Sequence, residues 1–442
     1  MPKVLALTDS AEDIKNFCME EDTLFFALRP LPAAEHTYER FAQIYRTLKA
    51  SCDLSSVDVV VAEYVESIPL LYFMRRDGYH CPALMIPHTN PYPLNLLFYF
   101  LLVAEHAHPG DLVICGSQNA ASAYEYITGI PAKNICTFGI KSVYSRQNKK
   151  NCRERMGLPQ DSKILLYTGR FMNDKGISSL LGGYHRLRAE RPDTLLVMSV
   201  THIDPPYYNR LAPRMADVVL FHRLEKEQTA ALYNAADLFV SGATSIFETY
   251  GKSPLEALAC GVPAVVPRFD GFPYYIDETN GGLVDIEYLD HSNENPYEFA
   301  RMSETHFVKV CRKVLGRTGP LGYRIPEWAT YEGTMKVLPD LLLAMAESDP
   351  AGSVAIESHK IDKSRYPDSV AAVLDHYGLT ESEDLLAKAT RLGLIDRSDR
   401  GNETLLRNLH HDLFLTMGAN RQMTGSGEGR DDGRTARGAA GL

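Results

Sequence analysis

A short apolar strand that runs through a polar, glycine-containing loop into a helix occurs twice in the second half of this 442-residue chain, and that order leaves few folds open. In the first unit, residues 163–168 run into Gly169-Arg170-Phe171-Met172-Asn173-Asp174-Lys175-Gly176 and then into a helical stretch ending near Arg191. In the second, a strand centred on Leu238, Phe239 and Val240 feeds a polar loop, and Ser253-Pro254-Leu255-Glu256 has the composition of a helix start. The first half alternates in the same way, with strand-like segments at 4–7, 57–62, 83–86 and 112–115 separated by longer stretches. Such alternation predicts α/β layers, each a parallel sheet covered by helices. A chain this long with 45% hydrophobic residues exceeds one core and divides into two domains. The polar run 145–155 marks the boundary.

The loops carry the chemistry. Glu248 and Glu256 stand eight positions apart and bracket Gly251 at the entry to a helix. Ser253 is the expected cap of that helix and Pro254 fits its first turn. Glu256, three residues after the cap, is then placed to close a capping box. That structural reading competes with a binding role for Glu256; it gives Glu248 none. A helix N-terminus beside Gly251 also suits phosphate oxygens, because its free N–H groups and its dipole point at them. Upstream, Arg170 offers a planar fork and Lys175 a mobile point charge, a pair suited to a diphosphate or equally to solvated surface positions. His88 lies just past a strand end, where α/β folds place ligand-facing loops, although a lone histidine is more often structural.

Taken jointly, three blocks resemble the retaining glycosyltransferases of the GT-B fold, family 4 type. They are Gly169-Arg170 through Lys175-Gly176; Glu248 and Glu256 with Gly251 between them; and Ala257-Leu258-Ala259-Cys260-Gly261-Val262-Pro263 running on to Gly271 and Gly281-Gly282-Leu283-Val284. The resemblance implies two Rossmann-like domains facing a cleft, 1–145 on the acceptor side and 160–345 on the sugar-nucleotide side. It also implies that Arg170 and Lys175 bind the donor diphosphate, that Glu256 meets the ribose hydroxyls, and that Glu248 and His88 lie at the transferred sugar. Gly251, Lys252, Ser253 and Arg223 are further candidates for the donor site. No metal and no cofactor is expected beyond a nucleotide-diphosphate sugar as co-substrate; the acceptor hydroxyl compound is left open. The chain departs from the family pattern at Thr201-His202-Ile203-Asp204-Pro205-Pro206, at His222-Arg223 near the base pocket, and at Tyr274, where an acidic residue commonly follows Gly271. Two alternatives follow: a sugar-nucleotide-binding protein that has lost transfer, and another GT-B enzyme such as an α-glucan synthase or an epimerase.

Composition narrows the rest. A formal charge of −10 argues against broad nucleic-acid binding. The 8 cysteines form no CxxC pair or disulfide framework, and the N-terminal segment is too short for a signal peptide, so the expected location is the cytoplasm. The apolar stretch 93–104 reads as a core helix more readily than as a membrane-facing one, because no basic face accompanies it. His106, His108, His410 and His411 lack companions at metal-ligand spacing. Residues 352–417 are expected to form a helical appendage and 424–442, rich in Gly and charge, a disordered tail.

Overall fold

The apolar runs do become strands, and each is buried along most of its length. The computed structural model describes residues 2–9, 22–28, 38–89, 106–117, 128–134, 139–245, 248–269, 271–288, 300–317 and 322–347, with a few single positions between 99 and 125. The expected appendage (352–417), the tail (424–442) and nearly all of the apolar stretch 93–104 lie outside these residues.

Two six-stranded sheets form the architecture. The first takes the order β2-β1-β3-β4-β5-β6, from β1 (Val4–Thr8), β2 (Thr23–Ala27), β3 (Val59–Glu63), β4 (Ala83–Ile86), β5 (Leu112–Cys115) and β6 (Ala132–Asn134), and every pairing is parallel. The second takes the order β12-β11-β10-β7-β8-β9, from β7 (Lys163–Phe171), β8 (Thr194–Ile203), β9 (Val218–His222), β10 (Leu238–Val240), β11 (Ala264–Pro267) and β12 (Gly281–Val284), again parallel throughout. Both sheets have cores on two faces, as parallel sheets with helical crossovers require.

Each order contains one switch point, where successive connections leave in opposite directions. In the first sheet it falls between β1 and β3; in the second, between β7 and β10. Ligands of open α/β sheets bind in the crevice beyond the strand ends at such points.

The halves are joined twice. Residue Ile140, on the way into the second sheet, donates its N–H to Ala329 O at 2.8 Å and accepts from Tyr331 N–H at 3.1 Å on the way back. The helix Tyr331–Ala346 follows, and its position departs from the expected assignment of 160–345 to the second domain. Leu338, Leu342 and Met345 pack on Val4, Val59, Leu84 and Ile114, closing the second face of the first sheet. The reason is burial: that face is all apolar, and this helix supplies the matching stripe.

Candidate active site

Strand ends of the first sheet, at β4 and β5, meet the switch-point loops of the second in one cleft. A cavity of about 310 Å³ lies between them, lined by His88, Ile114 and Gly116 of the first half and by Arg170, Lys175 and residues 248–252 of the second.

On the second sheet, the β7–β8 register shifts between Gly169 and Phe171, which places Arg170 at an irregularity near the strand's end. A single 3₁₀ turn, Asn173–Lys175, then leads to Gly176 at φ 60° and into the helix Ile177–Glu190. Gly176 is required twice over: its φ is left-handed, and a Cβ there would lie 1.9 Å from Gly242 O in the loop after β10. The two switch-point loops are thereby locked together. Lys175 Nζ reaches Glu248 Oε2 at 2.8 Å and Asp174 Oδ2 at 3.6 Å, and Arg170 Nη2 meets Asp174 Oδ2 at 3.1 Å. Two cations are balanced by two carboxylates. Asp174 Oδ1 is buried with no hydrogen-bond partner among the described residues.

The charges are held firmly. Burial alone would raise the Glu248 carboxyl, but Lys175, Arg170 and the Gly251 N–H outweigh it and keep it below the ordinary glutamate value. For Lys175 burial works to lower the value, and Glu248 with Asp174 more than reverses it. Both groups remain ionised at neutral pH.

Gly251 opens the helix Lys252–Ala259 in a left-handed conformation, φ 68°, with no side-chain cap. The expectation of a Ser253 cap and a Glu256 capping box is therefore corrected. The glycine starts the helix two residues earlier, so Ser253 falls inside the first turn and Glu256 too far along to reach back. A Cβ at Gly251 would sit 2.3 Å from Phe272 Cε1, which leaves glycine as the residue that fits. Freed from capping, Glu256 Oε2 accepts from Tyr233 Oη at 2.7 Å, and Tyr233 Oη lies 2.5 Å from Thr168 Oγ1; the Tyr144 ring stands edge-on to Tyr233. Burial raises the Glu256 carboxyl against the pull of Tyr233, Lys252 and Tyr144. The two glutamates are thus tuned in opposite directions.

On the first sheet, three strand ends line up. Thr8 of β1 hydrogen-bonds Glu63 Oε2 of β3, and Glu63 Oε1 lies 3.0 Å from Nε2 of His88, two residues past β4. Glu63 is 1% exposed. His88 adopts φ 55° and its ring tilts against Tyr64, itself at φ 64°, with centroids 4.9 Å apart. Left-handed conformations in two large residues cost free energy and concentrate at functional sites.

The structure therefore brings His88, Arg170, Lys175, Glu248, Gly251 and Lys252 to one cavity. Ser253, Glu256 and Arg223 are not among its lining residues. Arg223 ends β9 at φ 54°, its N–H bonded to Val200 O at 2.9 Å and its side chain exposed. Tyr274 is 45% exposed in the turn Phe272–Tyr274. Sequence reasoning missed Asp174, Glu63 and Thr8. Asp174 lay inside the quoted loop and its position between two cations was the available signal; Glu63 and Thr8 carry no local one.

Comparisons with known proteins bear on the fold and on the second half of the chain. Residues 148–293 match the family model described as glycosyl transferases group 1. The chain is 33% identical over 232 residues to D-inositol 3-phosphate glycosyltransferase 2 of Catenulispora acidiphila, covering 49% of this chain and 53% of that protein. It is 30% identical over 185 residues to the alpha-monoglucosyldiacylglycerol synthase of Streptococcus pneumoniae, covering 39% and 40%. The matches thus span about half or less of these relatives' length. Among solved structures, Anabaena HepE in complex with UDP and glucose superposes with a TM-score of 0.53 at 14% identity, covering 85% of this chain and 100% of that one. The fold is GT-B, and residues 148–293, which hold the second sheet, match the group 1 glycosyltransferase model.

Proposed function

We propose that this protein is a retaining glycosyltransferase that moves a sugar from a nucleotide-diphosphate donor to an acceptor hydroxyl, without a metal ion. The observation that carries the reading is the Arg170–Asp174–Lys175–Glu248 cluster beside Gly251, facing His88 across the cleft. HepE, which shares the fold, binds UDP and glucose, and this supports a nucleotide-sugar donor here. The absence of a membrane-crossing helix among the described residues is compatible with the cytoplasmic location we assign.

The cluster's charge balance suggests how the donor is handled. A diphosphate arriving at two cations already paired with carboxylates gains little until the pairing changes. In our reading, sugar hydroxyls take over the Glu248 carboxylate, and Lys175 turns from Glu248 to the diphosphate. Arg170, Lys175 and the N–H groups after Gly251 then stabilise the charge that grows on the leaving diphosphate. His88, held by Glu63, faces the sugar from the other side, and Glu256 with Tyr233 serves the ribose. Arg223 and Ser253 remain candidate donor contacts at the margin. The names of the relatives suggest acceptors that are polyol phosphates or diacylglycerol-type lipids.

Release of nucleoside diphosphate from UDP-, GDP-, ADP- and TDP-sugars tests the reading. One donor should be turned over, and Glu248→Ala and Lys175→Ala should each lower turnover by about a hundredfold or more. Donor binding without release, even with candidate acceptors, would overturn transfer in favour of a sugar-nucleotide-binding protein.

A further inference from the structure

A second and larger cavity, about 570 Å³, lies at the hinge between the halves. Its walls come from the connecting segment after Ile140, from Leu258 and Ala259 at the far end of the helix Lys252–Ala259, and from the return segment 322–332. Lys141, Arg146 and Arg324 face it together with the single carboxylate of Glu332, so positive charge predominates among its described lining residues. Ser142, Tyr144 and Tyr323 add hydroxyl groups. Room has been made for one of the cations: a Cβ on Gly261, at φ 78°, would lie 2.6 Å from Arg146 Nε. The nearby helix C-terminus brings partial negative charge, but its last carbonyls are bonded by the N–H groups of Cys260, Gly261 and Val262.

Two features connect this cavity to the donor cleft. Tyr144 lines the cavity and stands edge-on, at 5.7 Å, against the ring of Tyr233, whose hydroxyl donates to Glu256. The cavity also borders the Ile140–Ala329 and Ile140–Tyr331 hydrogen bonds, where the two halves are joined. A molecule bound there touches the angle between the halves and is linked to Glu256 through Tyr144 and Tyr233.

We propose that the hinge cavity is a regulatory site for a small, hydroxyl-rich phosphate monoester, and that its occupation alters donor affinity through Tyr144 and the hinge. The volume suits a compact ligand, the cations suit phosphate, and the hydroxyls suit a polyol. The effect on donor affinity rests on the reading of Glu256 as a donor ligand; occupation of the cavity does not.

Calorimetric titration of the full chain with glucose 6-phosphate, and separately with glucose and with inorganic phosphate, tests occupation. Glucose 6-phosphate should bind one site, inorganic phosphate should bind more weakly, and glucose should not bind. The Lys141→Ala/Arg324→Ala double variant, checked for an unchanged Tm, should bind about tenfold or more weakly, while Lys175→Ala retains binding. Absence of binding, or binding lost in Lys175→Ala and kept in the double variant, would overturn the site. Inorganic phosphate binding as tightly as glucose 6-phosphate would overturn the hydroxyl-rich ligand. If the donor KM is unmoved while binding persists, the coupling falls and the site stands; if no donor is turned over at all, the function proposed above falls and the binding results are unaffected.

Discussion

At the residue scale, the two glutamates of the second half make opposite predictions about pH. Glu248 has its folded value held below the ordinary 4.5, so the stability it contributes is present above that value and is lost as pH falls through the depressed one. Glu256 has its value raised, so its contribution is complete below 4.5 and is lost as pH rises through the raised value. Glutamine titrates at neither position. Relative to wild type, Glu248→Gln should lose most stability near neutral pH and recover as pH drops below 4.5, whereas Glu256→Gln should gain as pH rises above it. Thermal melts of both variants across acid and neutral buffers check this, and slopes of the same sign would refute the assignment. Lys175→Met, which takes the ion-pair partner from buried Glu248 while Asp174 keeps Arg170, should cost about 3 kcal/mol in denaturant melts. Legibility at this scale followed locality. That Arg170, Lys175 and Glu248 lie together was readable because each sits in a loop leading from a strand end into a helix. Glu63 was not, because its partners Thr8 and His88 are 55 and 25 residues away and only the sheet register brings them together.

At the scale of elements, the strand-to-helix turns decide whether those side chains meet. The strands at 83–86 and 112–115 were legible as continuous apolar runs, since parallel strands are buried on both faces. The helix start at Lys252 was misread because serine and proline are strong local start signals, whereas the winning residue, Gly251, acts through its left-handed backbone and its fit against Phe272. The edge strand β2 was not foreseen, and its half-buried residues explain why. Gly176 is the position at which a turn is most exposed to change. Gly176→Ala adds a left-handed penalty of about 1–2 kcal/mol to a backbone clash with Gly242. It should lower Tm by about 5 °C or more, and it should reduce donor turnover beyond what that Tm implies, because Lys175 precedes it. An alanine variant with wild-type Tm would show that the two loops are not locked.

At the scale of the whole molecule, the chain closes on itself: the helix Tyr331–Ala346 leaves the second sheet and completes the first. Nothing in its sequence says which sheet it covers, since an apolar stripe fits any apolar face, and the choice is made by the crossing at Ile140 that turns the chain back. The consequence is that the core of the first half depends on residues that follow the second half in the chain. Leu342 is 3% exposed in the cluster that spans that helix and the first sheet. Leu342→Ala should destabilise by about 2–5 kcal/mol, and the loss belongs to the first sheet although the mutation lies beyond the second. Hydrogen exchange should show protection falling in β1, β3, β4 and β5 while β7 and β8 keep theirs. Equal loss in both sheets would mean that they unfold as one cooperative unit. Confinement to the first would leave the Lys175–Glu248 side of the cleft standing without its His88 side, so donor binding should outlast turnover as denaturant is raised.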